Sequence, residues 1–72
     1  MPTMDIQVLE GVFDADEKAR IIRGVTRAFG EVAGETMRDG LSVRIHEVRS
    51  GAWGYAGEVL HTEDALEMRR RG

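Results

Sequence analysis

Cysteine is absent from the 72-residue sequence, and proline occurs only once, at position 2. Without cysteine the chain has no disulfide, no thiolate metal site and no cysteine nucleophile. No apolar run approaches the roughly 18 residues of a membrane span, and the N-terminal segment has neither the basic region nor the long apolar stretch of a signal peptide. We therefore expect a cytoplasmic protein that does not enter a membrane.

Charge of one sign is also not in excess. The net charge is −3 with 32% charged residues, which is typical of an ordinary soluble surface. This balance predicts no binding to nucleic acid or to anionic membranes. The two histidines, His46 and His61, have no tight cluster of metal-ligating residues around them in the sequence, so we expect no metal site.

The chain is short for a self-sufficient core, and residues 1–72 are interpreted as one domain. A chain of about 60 residues buries only roughly 60% of the surface that its unfolded form exposes. A core of this size rarely supplies more than about 3–5 kcal/mol of stability. With disulfides excluded and no metal site expected, self-association is the remedy that remains, and 42% hydrophobic residues provide apolar surface for it.

Hydrophobic periodicity predicts a strand followed by a helix. Residues 3–9 alternate between apolar and polar side chains, the pattern of a strand with one buried face. Asp14 is a good N-cap, and Glu17 three positions later completes a capping-box pattern. Apolar residues then recur in steps of three and four as far as Val32, and Gly34 is a natural C-terminal stop.

A second strand and a short C-terminal region follow. Residues 35–40 read as a polar loop, and residues 41–48 alternate again. Two strands joined through a helix should pair in parallel through a right-handed crossover. The glycine-rich segment 50–57 predicts a tight turn or small hairpin, and Thr62 is expected to cap a last helix over residues 63–71. The prediction is an α+β fold, one β-α-β unit whose open sheet edges require partner subunits.

Pro2 is the sharpest candidate for catalysis. Removal of Met1 would make Pro2 an N-terminal secondary amine, and a free α-amino group titrates at about 7.7–8.0 in short peptides. Burial in an apolar pocket, or a nearby arginine, lowers the pKa of such an amine toward the range where a general base works best. A retained Met1 would instead leave an amide nitrogen, which cannot act as a base.

The order of motifs resembles the 4-oxalocrotonate tautomerase family of the tautomerase superfamily over nearly the full chain. The resemblance rests on Pro2, Leu-Glu-Gly at 9–11, the capped helix with Asp-Glu-Lys at 16–18, and Trp-Gly-x-x-Gly at 53–57. It implies a β-α-β protomer, dimers formed by sheet pairing and a homohexamer arranged as a trimer of dimers. It also implies active sites at subunit boundaries, with Pro2 as catalytic base or acid.

The resemblance assigns further residues to the site. Trp53 matches an aromatic position that walls the pocket. An arginine of the family on the second strand falls at Ser42 when residues are counted back from Trp53 without gaps, and at Arg44 when the Ser-Val-Arg triplet is matched. A second family arginine, directly after Leu-Glu-Gly, is Val12 here, and this departure counts against oxalocrotonate itself as the substrate.

Each candidate also has a simpler structural interpretation. Arg44, or Arg38 in the predicted loop, could grip a carboxylate in two places and stabilise an enolate. An arginine on an outward strand face is, however, commonly a solvated charge or an interface ion pair. His46 shares the face of Arg44 and titrates in a range that permits proton transfer, although a lone histidine is more often structural. Trp53 could equally pack in a core or an interface.

These observations predict a tautomerase or isomerase that needs neither metal nor organic cofactor. Pro2 would move a proton along a small enol or unsaturated carbonyl acid whose carboxylate is held by an arginine. One alternative is a hydratase or dehalogenase-like activity, in which protonated Pro2 delivers a proton to carbon and Glu47 or His46 positions water. Another is a non-catalytic oligomeric binding or scaffold protein with the same fold, which the valine at position 12 favours.

Overall fold

The computed structural model describes all 72 residues as a β-α-β unit followed by a hairpin and a short helix. Strands β1 and β2 pair in parallel, and β3 and β4 pair antiparallel. The predicted α+β architecture, with its parallel strand pair, C-terminal hairpin and last helix, is confirmed. The elements are β1 (Thr3–Leu9), α1 (Ala15–Ala33), α2 (Glu35–Asp39), β2 (Ser42–Val48), β3 (Trp53–Tyr55), β4 (Glu58–Leu60) and α3 (Thr62–Arg70).

Helix α1 begins and ends at the residues that the sequence indicates. The Asp14 carboxylate accepts a hydrogen bond from the Glu17 amide at 2.8 Å, and the Asp14 amide donates to the Glu17 carboxylate at 2.9 Å. These bonds satisfy two of the amides that a helix N-terminus leaves unpaired. At the other end Gly34 has a φ of 93°, a conformation that favours glycine, and its amide donates to the Gly30 carbonyl at 2.9 Å.

The segment between α1 and β2 differs from the prediction. Residues 35–40, expected to be a polar loop, contain the five-residue helix α2. Gly34 turns the chain, and Glu35 then opens the new helix with an acidic side chain, which the helix dipole favours at this end. Gly40 closes it by donating its amide hydrogen to the Met37 carbonyl at 3.1 Å. Strand β2 follows at Ser42, one residue later than predicted.

The cap of the last helix is also not the expected one. Helix α3 begins at Thr62, and His61 is its N-cap, with the His61 amide donating to the Asp64 carboxylate at 2.8 Å. The Thr62 hydroxyl instead donates to the Glu10 carbonyl at 2.8 Å. Thr62 therefore fastens the start of α3 to the turn after β1 rather than capping the helix.

An arginine near the end of the chain attaches α3 to the beginning of α1. Arg69 donates to the Glu17 carboxylate at 2.7 and 3.2 Å and to the Val12 carbonyl at 2.7 Å, and its guanidinium lies 4.8 Å from the centre of the Phe13 ring. The bond from Arg69, together with that from the Asp14 backbone, lowers the pKa of Glu17 to about 2. Arg69 therefore makes a tertiary contact between α3 and the start of α1.

A single chain does not close a core around these elements. Only Leu9 and Val12 are buried, and Val32, on the apolar stripe of α1, is 93% exposed. The accessible surface is 5385 Å², whereas a compact folded chain of this mass exposes about 4,500 Å². The radius of gyration is 14.5 Å against about 11 Å for a compact domain. One chain therefore leaves apolar surface uncovered. None of its helices is long and apolar enough to cross a membrane.

Candidate active site

Pro2 lies at the start of the strand pair, immediately before β1. Its carbonyl accepts a hydrogen bond from the Ser42 amide at 3.1 Å, which extends the parallel ladder by one residue. Pro2 is half-buried, whereas Met1 is fully exposed outside the ladder. Removal of Met1 would therefore leave the bond from Ser42 to Pro2 in place and free the proline nitrogen at a fixed position.

Arg44 occupies the polar outer face of the sheet, close to this end. The register places Thr3 opposite Ser42 and Asp5 opposite Arg44. The Arg44 Nη1 donates to the Thr3 hydroxyl at 3.1 Å and lies 3.9 Å from the Asp5 carboxylate. Its side chain is 59% exposed. Arg44 is therefore anchored to the residue that follows Pro2 and remains open to solvent.

His46 and Ser42 share this outer face but differ in their contacts. His46 Nε2 lies 3.3 Å from Asp5 Oδ1, and its side chain is 52% exposed. Because a carboxylate only accepts hydrogen bonds, this contact requires the proton on Nε2. The Ser42 hydroxyl makes no hydrogen bond within the chain, and the contribution of Ser42 is its backbone amide, which holds Pro2.

Arg38 lies on α2, just before the start of β2. Its guanidinium is 3.4 Å from the Asp39 carboxylate and 4.0 Å from that of Glu35. Its aliphatic stem packs against Gly30 of α1, where an added Cβ would lie 2.7 Å from Arg38 Cδ. The Leu41 amide donates to the Arg38 carbonyl at 3.1 Å. Arg38 is therefore at the Pro2 end of the fold, with part of its charge balanced by neighbouring acids.

Trp53 lies at the opposite end of the sheet from Pro2. It contributes to an open apolar cleft of about 390 Å³ lined chiefly by Val8, Leu9, Val12, Phe13, Trp53 and Leu60. Six strand positions separate Pro2 from Val8, which corresponds to about 20 Å. Pro2 and Trp53 of one chain therefore cannot wall the same small pocket, and only a neighbouring chain could bring a tryptophan to Pro2.

Two other residues of the sequence-based hypothesis have structural partners. Val12 is 6% exposed and forms part of the same cleft. An arginine in its place would have to leave the cleft or be desolvated at a cost. Glu47, considered above for positioning water, lies 2.9 Å from Lys18 of α1 at the far end of β2. Neither side chain is near Pro2 of the same chain.

Comparison with known proteins identifies the family. The profile of the tautomerase family, described as "Tautomerase enzyme", matches residues 2–63, a span that includes both Pro2 and Trp53. The chain belongs to the tautomerase family. The predicted resemblance is confirmed, and it extends over the β-α-β unit, the hairpin and the first residues of α3.

Solved structures of tautomerase homologues have the same fold. A 4-oxalocrotonate tautomerase isozyme from Methylibium petroleiphilum is 32% identical with a TM-score of 0.69, and the match covers 78% of this chain and 87% of that one. YwhB, a homologue of 4-oxalocrotonate tautomerase, is 27% identical with a TM-score of 0.71 over 88% and 97% of the two chains. DmpI from Helicobacter pylori, at 23% identity and a TM-score of 0.71 over 99% and 98%, supports the fold alone. Among curated proteins, sequence comparison finds no significant match.

Sequence reasoning did not single out Asp5, although this carboxylate lies between two of the candidate residues. Asp5 contacts both Arg44 and His46, each about forty positions away along the chain. Its position on the outward face of β1 is visible in the alternating pattern, but its partners depend on the register with β2. Asp5 could therefore have been identified as part of the site only from the register of β1 with β2, and no sequence motif indicates it.

Proposed function

We propose that this protein is a cofactor-independent tautomerase that acts on a small enol or unsaturated carbonyl acid. In this proposal Met1 is removed and the Pro2 nitrogen is the general acid–base. The observation that carries the proposal is the position of Pro2, which is fixed by the Ser42 amide next to the strand of Arg44 in a chain of the tautomerase family. A guanidinium near a secondary amine disfavours the cationic form of that amine, so an arginine drawn close to Pro2 would lower its pKa toward neutrality.

The proposed reaction moves one proton and leaves the substrate's total composition unchanged. The Pro2 nitrogen takes a proton from one end of the conjugated system and returns it at the other. Arg44 donates only one hydrogen bond within the chain, to Thr3, so most of its five N–H donors are available. They would hold the substrate carboxylate and the oxygen on which negative charge develops. Arg38, close to Asp39 and Glu35, is the second candidate for this contact.

We further propose that the active site is completed by association of identical chains into a hexamer, a trimer of dimers. Two observations support this arrangement. One chain leaves apolar surface uncovered, and Pro2 is roughly 20 Å along the strand from Val8, which lines the same cleft as Trp53. Trp53 of a neighbouring chain would then keep water from the proline and strengthen its interactions with charge. Six chains of 8.0 kDa give about 48 kDa, a mass that light scattering after size exclusion would distinguish from those of a monomer and a dimer.

The decisive experiment combines intact mass with an ultraviolet assay on phenylenolpyruvate and 2-hydroxymuconate. The mass of the protein made in its native host should lack methionine. Pro2→Ala, which keeps a free amine but a primary and more flexible one, should lower kcat/KM by about 10²–10⁴-fold, the usual contribution of a general acid–base. Asp16→Asn is the matched control, since Asp16 pairs with Arg20 on the exposed face of α1 and should leave turnover unchanged.

Other outcomes would point to a different function. Retained methionine together with no turnover would contradict the proposal and favour a non-catalytic oligomeric protein. Turnover that survives Pro2→Ala would move the acid–base role to another group. For a hydratase on this scaffold, the contact of Glu47 with Lys18 at 2.9 Å counts against Glu47 as the residue that positions water and leaves His46 as the other candidate.

A further inference from the structure

Asp5 is shared by two basic side chains on the outer face of the sheet. Its Oδ1 atom lies 3.3 Å from His46 Nε2 and 3.9 Å from Arg44 Nη1. The first distance is within the range of a hydrogen bond, whereas the second is too long for one. All three side chains are between 52% and 59% exposed, and their remaining neighbours on this face, Thr3, Gln7 and Ser42, are uncharged.

An acid this close to Arg44 is a built-in competitor for any carboxylate that the arginine binds. If Asp5 moved by one rotamer toward Arg44, it could form the paired hydrogen bonds that an external carboxylate would otherwise make. His46 opposes that movement because its Nε2 hydrogen holds the same oxygen that faces Arg44. In the observed arrangement Arg44 is bonded only to Thr3 and keeps the rest of its fork free.

We propose that Asp5 is a residue that limits carboxylate binding by Arg44 and that His46 is a positioning residue that keeps Asp5 away from Arg44. The pair sets how strongly Arg44 binds a substrate carboxylate without taking part in proton transfer. The inference deepens the proposed function, since it rests on Arg44 as the carboxylate-binding residue. It gives His46 a role other than the direct proton transfer considered from the sequence.

Substitutions at the two positions should act in opposite directions on KM and leave kcat within about twofold. Asp5→Asn removes the negative charge that lies 3.9 Å from Arg44 Nη1. Because this charge repels a carboxylate bound by Arg44, its removal should lower KM by about three- to tenfold. His46→Thr releases Asp5 toward Arg44 and should raise KM by about threefold. His46→Gln, whose amide N–H can still reach Asp5, should restore the original KM.

The double variant Asp5→Asn/His46→Thr separates this mechanism from two independent effects. If His46 acts through Asp5, its substitution should have no consequence once the Asp5 charge is gone, and the double variant should match Asp5→Asn. A double variant that keeps the His46→Thr penalty, or a His46→Thr variant whose KM does not rise, would overturn the proposal. Asp16→Asn removes the same charge from the first turn of α1, where Asp16 pairs with Arg20, and controls for net charge.

A binding measurement keeps the inference separate from the proposed activity. Phenylacetate, an unreactive monocarboxylate, would be titrated into the assembled protein while the side-chain nitrogen signals of Arg44 are followed by NMR. The dissociation constants should rank Asp5→Asn tightest, wild type and His46→Gln intermediate, and His46→Thr weakest. If the protein has no tautomerase activity but shows this ranking, the inference stands although the proposed function fails. Equal dissociation constants, or Arg44 signals that do not change on addition of phenylacetate, would overturn the inference even in an active enzyme.

Discussion

Two glycines inside α1 should respond differently to the same substitution, because only one of them has a close neighbour. A Cβ added to Gly24 would meet no atom within 4 Å. A Cβ added to Gly30 would lie 2.7 Å from Arg38 Cδ and 3.0 Å from Arg38 Cβ and Cγ. The pair therefore tests whether α2 packs on α1 as the structure describes, and with it the placement of a candidate substrate-binding arginine.

The expected changes in the free energy of unfolding follow from helix propensity and from steric overlap between the new Cβ and Arg38. Alanine is favoured over glycine in a helix interior by about 0.8–1.0 kcal/mol, so Gly24→Ala should stabilise the protein by about that amount. At Gly30 the same gain is opposed by the overlap with Arg38. The Cβ of Arg38 is fixed to the backbone of α2, so the short helix itself must shift, and such overpacking costs about 1–3 kcal/mol. Gly30→Ala should range from neutral to about 2 kcal/mol destabilising.

Urea unfolding of both variants at one fixed protein concentration is the suitable assay, since the stability of an oligomer depends on concentration. We expect Gly24→Ala to be about 1–3 kcal/mol more stable than Gly30→Ala. Equal stabilisation by the two substitutions would refute the packing of Arg38 on Gly30. A loss of stability in Gly24→Ala would show that a partner chain fills the space that is open in one protomer.

Two further predictions concern the hairpin and the contact between α1 and α3. Ala56 has a φ of 52° and Gly57 a φ of 83°, and a two-residue hairpin turn with two positive φ angles prefers the sequence Asn-Gly. Ala56→Asn should therefore raise the free energy of unfolding in urea by about 0.5–1 kcal/mol. A destabilised variant would argue against this turn. Because Arg69 lowers the pKa of Glu17 to about 2, the charged Glu17 stabilises the fold above pH 4.5, and this contribution should be lost as the pH falls toward 2. Glu17→Gln keeps a capping side chain without the charge. The variant should therefore be less stable than wild type at pH 6, and this difference should shrink as the pH falls from 4.5 toward 2. A difference that stays constant with pH would contradict a stabilising role for the charged contact between Glu17 and Arg69.

Those parts of the fold that depend on local pattern were predictable from the sequence. The alternation in β1 and the capping box of Asp14 and Glu17 each involve neighbouring residues, and both are present in the structure. Helix α2 was not predicted, because five residues give too short a window for helical periodicity to be recognised. The cap at His61 was missed because histidine is an uncommon N-cap and Thr62 next to it is a favoured one.

Contacts between residues far apart in the sequence could not be predicted from the hydrophobic pattern. The partners of Asp5 depend on the register between β1 and β2, in which Asp5 lies opposite Arg44. A shift of one residue would turn Asp5 to the other face of the sheet, so alternation alone could not pair these residues. The bond from Arg69 to Glu17 likewise spans 52 positions and depends on how α3 returns across the turn after β1. Residue types marked the candidates, and tertiary structure determined which of them meet.

The Leu-Glu-Gly motif illustrates why family resemblance carries the fold more securely than the chemistry. The Glu10 carboxylate accepts from the Ser50 amide at 2.9 Å, and its carbonyl accepts from the Thr62 hydroxyl at 2.8 Å. Gly11 has a φ of 78°, and a Cβ there would lie 3.3 Å from Thr62 Cγ2.

These contacts explain the motif without reference to a substrate. Within one chain the motif follows the C-terminal end of β1, whereas Pro2 precedes the N-terminal end of that strand. A chain could therefore keep this motif for its fold while the surroundings of Pro2 changed. The proposed tautomerase reaction depends instead on the Pro2 nitrogen and on the contacts of Arg44, neither of which this motif reaches within one chain.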